Sequence, residues 1–431
     1  MAENTEKLLH DVKITPDRAD GIYFTGDTAV FKIEYFRNGK ACPGQKLEAY
    51  FHNMHYPQKR KNTISFTAGE GKELSVELNV TGSTILKVFV CGKNGTPLRK
   101  KDHDGKMRYI SFSCGVLASP EKCLPYMDEP ADFQAFWEEQ KKELAKVPVK
   151  VLEKVPLEVP EEMKGKFVAW DMKIACAGSM PVSGYLSMPS DVAEGKRKVP
   201  VVVSYHGGGV RSSVLTFREN AVWFDVNAHG IVNGKEVAFY LELSKNELNK
   251  YIYRGMESRE TFYFRYMYVR VLRAQEFVKS LPQWNRKDLV LYGGSQGGGQ
   301  VLVGAGLDPE VTLIHAWVPA LCNLNHYRKG YSSSWPCSLY YCNETGTEDP
   351  EKVAKCIPYF DAVNFARRIR CEVFMSTGLL DTTCPPGNVF AAYNVIPSQN
   401  KTIHTFTDRG HLLASNPTFP ERLEKLLSGN K

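Results

Sequence analysis

The sequence has no apolar run long enough to cross a membrane. None of its 431 residues lies in a run near the roughly 18 apolar residues that a transmembrane helix needs, and the run at 199–204 is only as long as a strand. Internal repeats and polar low-complexity runs are also absent, while aromatic residues make up 11% of the chain. A membrane-spanning protein and a disordered protein are therefore excluded. At about 100–200 residues per domain, the length predicts two or three domains.

A secretion signal is also missing from the start of the sequence. Residues 1–12 carry charges throughout and contain no apolar stretch followed by a small-residue cleavage site. The chain as it stands predicts a cytoplasmic protein. A periplasmic or secreted protein whose leader has been removed fits the same residues, so the compartment stays open between the two.

The sequence contains no metal-binding motif. Its 11 cysteines include no Cys-x-x-Cys pair, and the His-Glu-x-x-His pattern is absent, so no zinc site is predicted. Cys337, Cys342 and Cys356 fall in one segment and would form a loop disulfide in an exported protein. Scattered buried thiols are the preferred interpretation.

The net charge of +7 does not predict a nucleic-acid partner. Basic clusters at 59–61, 99–101 and 196–198 are far apart in loop-like sequence, and no aromatic residues interleave them. We interpret them as solvated loops and expect neither a nucleic-acid nor a membrane partner.

Residues 12–112 have the pattern of short β-strands. Asn-Gly pairs, which favour tight hairpins, separate runs of alternating apolar and polar residues. We predict an all-β, immunoglobulin-like sandwich domain over residues 1–115. A linker with three prolines in 119–130 and a docking helix follow in residues 116–160.

Strands and helices alternate over the rest of the chain. The continuously apolar run at 199–205 is typical of a parallel strand that is covered on both faces. This alternation predicts an α/β domain with a mostly parallel sheet over residues 161–431.

The most specific local motif is a Gly-x-Ser-x-Gly pattern centred on Ser295. It lies between a predicted strand at 288–292 and a predicted helix at 298–307. This is the setting of the nucleophile elbow of α/β-hydrolases, in which glycines let the strand and the helix approach each other. The Walker and dinucleotide patterns that hold phosphate do not fit these residues. Ser295 is therefore the predicted nucleophile.

An acid and a histidine are expected after the serine, in that order. Asp381 follows a predicted strand at 372–376, and His411 follows one at 401–406. Both lie at the carboxyl ends of strands, where α/β sheets place their sites. Four other residues are weaker candidates for these roles. His404 lies within a predicted strand, and Asp408 could be the acid only if its loop folded back. His315 and His326 precede the acid in the chain.

Three glycines after the predicted strand at 199–205 indicate an oxyanion loop. The run is His206-Gly-Gly-Gly209, and such glycines let backbone N–H groups point at a carbonyl oxygen as it gains charge. The predicted donors are the N–H groups of Gln296 and Gly208. We interpret His206 as a brace of the loop and not as a catalytic residue.

These motifs resemble the acetyl xylan esterase and cephalosporin C deacetylase family, carbohydrate esterase family seven. The resemblance covers about residues 125–430 and is carried by 133–137, 294–298, 359–365 and the Asp-x-x-Cys-Pro-Pro run within 378–386. It implies an α/β-hydrolase that removes acetyl groups from acetylated oligosaccharides or other small acetyl esters. Ser295, Asp381 and His411 take the triad positions. No metal or organic cofactor is expected.

The chain departs from the family pattern at three places. Gly208 stands where the family usually has Tyr, 227–229 read Asn-Ala-His in place of Arg-Gly-Gln, and Leu412 stands in place of Glu. The departures leave the triad intact and bear on the acyl pocket and substrate range. The family often forms hexameric rings, so the resemblance implies a homo-oligomer unless the sandwich blocks that packing.

Two other functions are compatible with parts of this pattern. A prolyl oligopeptidase-like serine peptidase shares the fold and residue order, but its propeller needs about 300 residues of repeated blades. A carbohydrate-binding protein with an inactive hydrolase domain would explain a sandwich, but the Ser-Asp-His set is complete.

Overall fold

The computed structural model describes residues 9–54, 63–69, 71–102, 104–412 and 414–429. The start of the chain up to residue 8 and the basic cluster at 59–61 lie outside the described residues. Within the described part, none of the helices combines the length and the apolar character needed to cross a bilayer.

Strands dominate the described residues between 9 and 118, here called the N-terminal β region. Its core lies between two sheets, because inward-facing residues such as Phe31 of one sheet meet Leu86 and Val116 of the other. One sheet contains β1, β3, β4 and β7, the other has the order β2-β11-β8-β5-β6, and β9 and β10 form a hairpin. The strands are β1 His10–Pro16, β2 Ile22–Tyr23, β3 Thr28–Arg37, β4 Lys40–Ala41, β5 Lys46–Asn53, β6 Ile64–Thr67, β7 Lys72–Glu77, β8 Gly82–Val90, β9 Arg99–Lys101, β10 Met107–Tyr109 and β11 Ser111–Ala118.

A nine-stranded mixed sheet forms the centre of the rest of the chain. Its order is β12-β13-β14-β16-β15-β17-β18-β19-β20. The pairings from β12 to β16 are antiparallel and the remaining five are parallel, which confirms the predicted α/β class. The strands are β12 Val151–Pro156, β13 Phe167–Ile174, β14 Val182–Pro189, β15 Val199–Tyr205, β16 Val222–Asn227, β17 Trp284–Gly294, β18 Leu313–Trp317, β19 Glu372–Gly378 and β20 Lys401–Phe406.

Helices cover both faces of this sheet. Val201 and Val203 on β15 join the large core that includes α4 and α5, while Val202 between them faces the cluster that includes α10. The apolar run at 199–205 is therefore buried on both sides. The helices are α1 Phe133–Ala145, α2 Ser190–Ala193, α3 Val237–Lys245, α4 Tyr263–Ser280, α5 Gln296–Leu307, α6 Ser338–Thr345, α7 Pro350–Cys356, α8 Ala362–Ala366, α9 Pro386–Val395 and α10 Phe419–Leu427.

The segment between the two sheets contains more than a linker and a helix. Helix α1 lies within the predicted span 116–160 and buries Phe133 and Trp137 against Phe365. Strand β12 was not predicted, and it forms the edge of the nine-stranded sheet. All six of its residues are exposed, so no buried face imposes the alternation that identifies a strand in sequence.

The parallel part of the sheet brings four loops together. Strands β15, β17, β19 and β20 run in the same direction, so their carboxyl ends reach one edge. The loops that follow these strands carry the predicted oxyanion glycines, nucleophile, acid and histidine. A site at this edge is the usual arrangement in open α/β sheets.

Candidate active site

Ser295 occupies a tight turn between β17 and α5. Its backbone has φ 57° and ψ −124°, a conformation that costs free energy for a residue with a Cβ and exposes the hydroxyl. A Cβ at Gly294 would lie 2.1 Å from Trp317 Cε2, and one at Gly297 would lie 2.0 Å from Tyr205 O. A side chain therefore does not fit at Gly294, directly before the serine, or at Gly297, two residues after it.

The structure brings Ser295, His411 and Asp381 together in one hydrogen-bonded row. His411 Nε2 lies 2.8 Å from Ser295 Oγ, and His411 Nδ1 lies 2.8 Å from Asp381 Oδ2. Because the carboxylate accepts at Nδ1, the neutral imidazole carries its proton there and accepts the serine hydroxyl at Nε2.

Asp381 is held rigidly at the end of this row. The residue is fully buried, and its Oδ1 accepts the N–H groups of Thr383 at 2.8 Å and Cys384 at 2.9 Å. These two bonds satisfy the oxygen that does not face the histidine, so the carboxylate cannot rotate freely.

The loops that carry the acid and the histidine pack against each other. The acid loop, residues 379–381, and the base loop, residues 407–411, are joined by the N–H of Leu380, which donates to Arg409 O at 3.0 Å. A Cβ at Gly378 would lie 2.3 Å from Arg409 O. A displacement of either loop therefore moves both Asp381 and His411.

The oxyanion loop, residues 206–209, lies beside the nucleophile. A Cβ at Gly207 would be 3.6 Å from Ser295 Cβ, and one at Gly208 would be 3.2 Å from the ring of Trp335. His206 Nε2 accepts the N–H of Ala228 at 3.1 Å, while burial lowers the pKa of His206 to about 4. The imidazole is thus neutral at pH 7 and links the loop to the end of β16.

Two residues that sequence reasoning did not single out support the same loop. Tyr251 accepts the N–H of Gly209 at 3.2 Å and donates to Gln296 Oε1 at 2.6 Å. The buried His229 has Nε2 3.2 Å from Gly209 O and Nδ1 2.8 Å from the hydroxyl of Tyr263. His229 belongs to the departure noted at 227–229, which was the only sequence signal for either residue.

The rival residues have other surroundings. His315 stacks on Phe419 with ring centroids 4.2 Å apart and accepts the N–H of Asn416. His326 Nδ1 lies 2.9 Å from Asn388 Oδ1. His404 lies within β20, and Asp408 lines a cleft that borders β1.

One group of possible metal ligands shares two residues with the hydrogen-bonded row of Ser295, His411 and Asp381. Ligand atoms of Asp381, Cys384 and His411 lie within 4.8 Å of one another. The carboxylate and the imidazole are bonded to each other, and burial raises the pKa of the Cys384 thiol well above its usual value. A protonated thiol is a poor metal ligand.

The three cysteines considered for a loop disulfide are free thiols. Cys337, Cys342 and Cys356 form no disulfide in the structure. Burial raises the pKa of Cys342 to about 11 and that of Cys356 to about 12, so both are protonated at neutral pH.

A family model described as acetyl xylan esterase (AXE1) matches residues 119–423, which is more than half of the chain. The chain belongs to the acetyl xylan esterase family. It is a carboxylic ester hydrolase for acetyl esters, and the peptidase and inactive-domain alternatives are not favoured. The resemblance found in the sequence is thereby confirmed.

The relatives of this acetyl xylan esterase family member match different shares of its chain. Acetyl esterase Axe7A of Xylanibacter ruminicola is 29% identical over 414 residues, which are 94% of this chain and 88% of that protein. Since 94% of the chain is matched, that alignment includes most of the N-terminal β region.

Solved structures of acetyl xylan esterases match a smaller share of this family member. Acetyl xylan esterase from Paenibacillus sp. R4 has a TM-score of 0.58 and 25% identity, over 72% of this chain and 98% of its own. Acetyl xylan esterase 1 from Thermoanaerobacterium sp. JW/SL YS485 has a TM-score of 0.58, 22% identity, and coverage of 72% and 97%. These likenesses show an α/β-hydrolase esterase fold.

The buried His229 predicts an acid-dependent loss of stability. Burial lowers the pKa of His229 to about 3, whereas an unfolded histidine titrates near 6.5. Between these values the unfolded state binds more protons, so the free energy of unfolding falls as pH drops below about 6.5. From pH 8 to pH 5, this residue alone lowers the free energy of unfolding by about 2 kcal/mol.

The measurement is urea unfolding of the wild type and of His229→Gln at pH 8 and pH 5. The variant is expected to lose about 2 kcal/mol less between the two pH values, because glutamine does not titrate. An equal loss in both proteins would contradict the assignment of this proton to His229.

Proposed function

We propose that Ser295, His411 and Asp381 are the catalytic triad of this acetyl ester hydrolase. The observation that carries the proposal is the pair of 2.8 Å contacts on the two sides of His411. Ser295 Oγ attacks the acetyl carbonyl carbon while its proton moves to His411 Nε2. Asp381 holds the imidazole in the tautomer that accepts this proton, and it stabilises the imidazolium that forms.

The same residues complete the reaction in two further steps. His411 returns its proton to the alcohol oxygen as the bond to the acetyl carbon breaks, which leaves an acetyl-Ser295 ester. Water then attacks this ester while His411 Nε2 takes a proton from the water, and acetate leaves as Ser295 recovers its hydroxyl hydrogen.

We propose the N–H groups of Gln296 and Gly208 as the oxyanion hole. Gln296 is the first residue of α5, and the first N–H groups of a helix have no carbonyl partner within it. The positive end of the α5 dipole therefore faces the oxygen that gains charge. Gly208 belongs to the loop that lies beside Ser295, and Tyr251 connects that loop to Gln296.

The proposed natural substrate is an acetylated oligosaccharide. Thr382, the neighbour of Asp381, is one of the residues that line a cleft of about 880 Å³. This volume is large enough for several sugar rings. Tyrosine rings and amide or hydroxyl groups suit the apolar faces and hydroxyls of sugars. The cleft is lined by residues that include Tyr327, Tyr331, Ser333, Tyr340 and Asn343.

We further propose that residues 1–115 form an immunoglobulin-like sandwich domain, 116–160 a linker with its docking helix, and 161–431 the catalytic domain. The two facing sheets around Phe31 and Leu86 support the sandwich. Strand β12 lies within the proposed linker but pairs with the catalytic sheet. The homo-oligomer stays a prediction.

Replacing the nucleophile is expected to abolish turnover. Ser295→Ala should lower kcat for 4-nitrophenyl acetate and for acetylated xylo-oligosaccharides by at least about 10⁴-fold, because no acyl-enzyme can form. A serine-directed fluorophosphonate should label the wild type and fail to label the variant. Ser75→Ala, an exposed serine on β7, is the matched control. Full labelling of Ser295→Ala would contradict the proposed nucleophile.

Shortening a tyrosine in the cleft is expected to weaken binding of the longer substrate. Tyr340 is 48% exposed, and Tyr340→Ala should raise KM for acetylated xylo-oligosaccharides about tenfold because a stacking surface is lost. Tyr109→Ala, an exposed tyrosine on β10 in the N-terminal β region, serves as control. A KM that is equal in both variants would contradict the cleft as the sugar site.

A further inference from the structure

The acid and base loops rest on the N-terminal β region. Ser83 on β8 donates its hydroxyl to Leu379 O at 3.0 Å, two residues before Asp381. Gly115 on β11 donates its N–H to Thr407 O at 2.7 Å, four residues before His411. Both bonds therefore end on backbone carbonyls of the two loops that carry the proposed acid and base.

The backbones at this contact leave no room for side chains. A Cβ at Gly115 would lie 2.6 Å from Leu379 O, and a Cβ at Gly21 would lie 2.7 Å from Thr407 Cγ2. Real Cβ atoms essentially never approach other atoms so closely, so a side chain at Gly115 must displace the acid loop or strand β11. Strand β11 thus sets how far the acid loop can move toward the N-terminal β region.

The centre of the contact is buried. Ser83 is 1% exposed and Leu379 is fully buried. Leu379 packs with Leu117 and Phe390 in a small apolar cluster of its own, and Thr405 donates its hydroxyl to Asp20 O at 2.6 Å at the margin. A buried hydrogen bond without competing water holds its geometry better than one at the surface.

We propose that the N-terminal β region is a positioning element of the catalytic site, and that Ser83 and Gly115 hold the loops so that His411 stays within hydrogen-bond distance of both Asp381 and Ser295. The proposal rests on the triad proposed above. Neither residue belongs to that triad, so each acts through the loop that it holds. Since the two loops also bind each other through Leu380 and Arg409, one shift displaces both Asp381 and His411 relative to Ser295.

This support comes from outside the part of the chain that the family model matches, which is residues 119–423. A displacement of about 1 Å at a catalytic group can cost about a hundredfold in rate. A domain that fixes these loops therefore acts on kcat even though it lies outside the sheet.

The test compares Ser83→Ala and Gly115→Ala with matched controls in the full-length chain. Ser75→Ala removes an exposed hydroxyl, and Gly69→Ala adds a methyl group where no atom lies within 4 Å. For each variant we would measure kcat and KM for 4-nitrophenyl acetate and the thermal unfolding temperature. Proton NMR would follow the low-field resonance of His411 Nδ1–H, identified by its loss in His411→Gln.

The proposal predicts that both test variants lose about tenfold in kcat while KM changes less than twofold. The Nδ1–H resonance should shift or broaden in both, and the controls should match the wild type. A merely structural contact would lower the unfolding temperature without moving kcat or the resonance. That result in folded Ser83→Ala would overturn the proposal.

Two further variants keep the outcomes distinct. Thr405→Val removes the bond from Thr405 to Asp20 O and replaces Gly115→Ala if that variant does not fold. Its kcat should also fall, and an unchanged kcat counts against positioning. Ser295→Ala is measured in parallel. Activity retained in Ser295→Ala contradicts the proposed triad, whereas activity lost there but unchanged in Ser83→Ala overturns the positioning role alone.

Discussion

The imidazole of His411 lies between a serine and a carboxylate that follow different strands, and the rest of the structure satisfies this one constraint. Two hydrogen bonds of 2.8 Å must form at once, so loops after β17, β19 and β20 have to meet within a fraction of an ångström. The parallel strands bring these loops near each other because their carboxyl ends share one edge of the sheet. Strand β18 lies between two of them, and its last residue, Trp317, accepts the N–H of Ser295 at 3.0 Å.

The backbone conformation of Ser295 and the burial of Asp381 each cost free energy, and neighbouring hydrogen bonds offset both costs. The conformation of Ser295 costs on the order of 1–3 kcal/mol, and it persists because neighbouring bonds determine it, including that from Ala320 N–H to Ser295 O at 2.9 Å. Burial of Asp381 is compensated by two backbone N–H donors. The predicted oxyanion loop is held at Gly209 by hydrogen bonds to Tyr251 and to His229, which burial keeps neutral.

Local patterns in the sequence revealed only the features that depend on neighbouring residues. The elbow at Ser295 was predictable because its glycines and its strand-helix setting lie within a few positions. Asp381 and His411 followed from chain order and from their places after strands. Strand β12 left no alternation because it is exposed on every residue.

Tyr251 and Ser83 left no local signal in the sequence. Tyr251 lies 42 residues from the glycine it supports, and Ser83 lies 296 residues from the carbonyl it binds. Such contacts exist only once the sheet has assembled, so no spacing rule points to them.

In the proposed mechanism, the acetyl group passes through Ser295. Rapid acid quenching of the wild type with an excess of acetyl ester, followed by mass spectrometry of proteolytic peptides, detects this intermediate. We expect one acetyl group on the peptide that contains Ser295, formed within the first turnover and absent in Ser295→Ala. An acetyl group on another residue, or turnover with no acetylated peptide at any time when deacylation limits the rate, would contradict it.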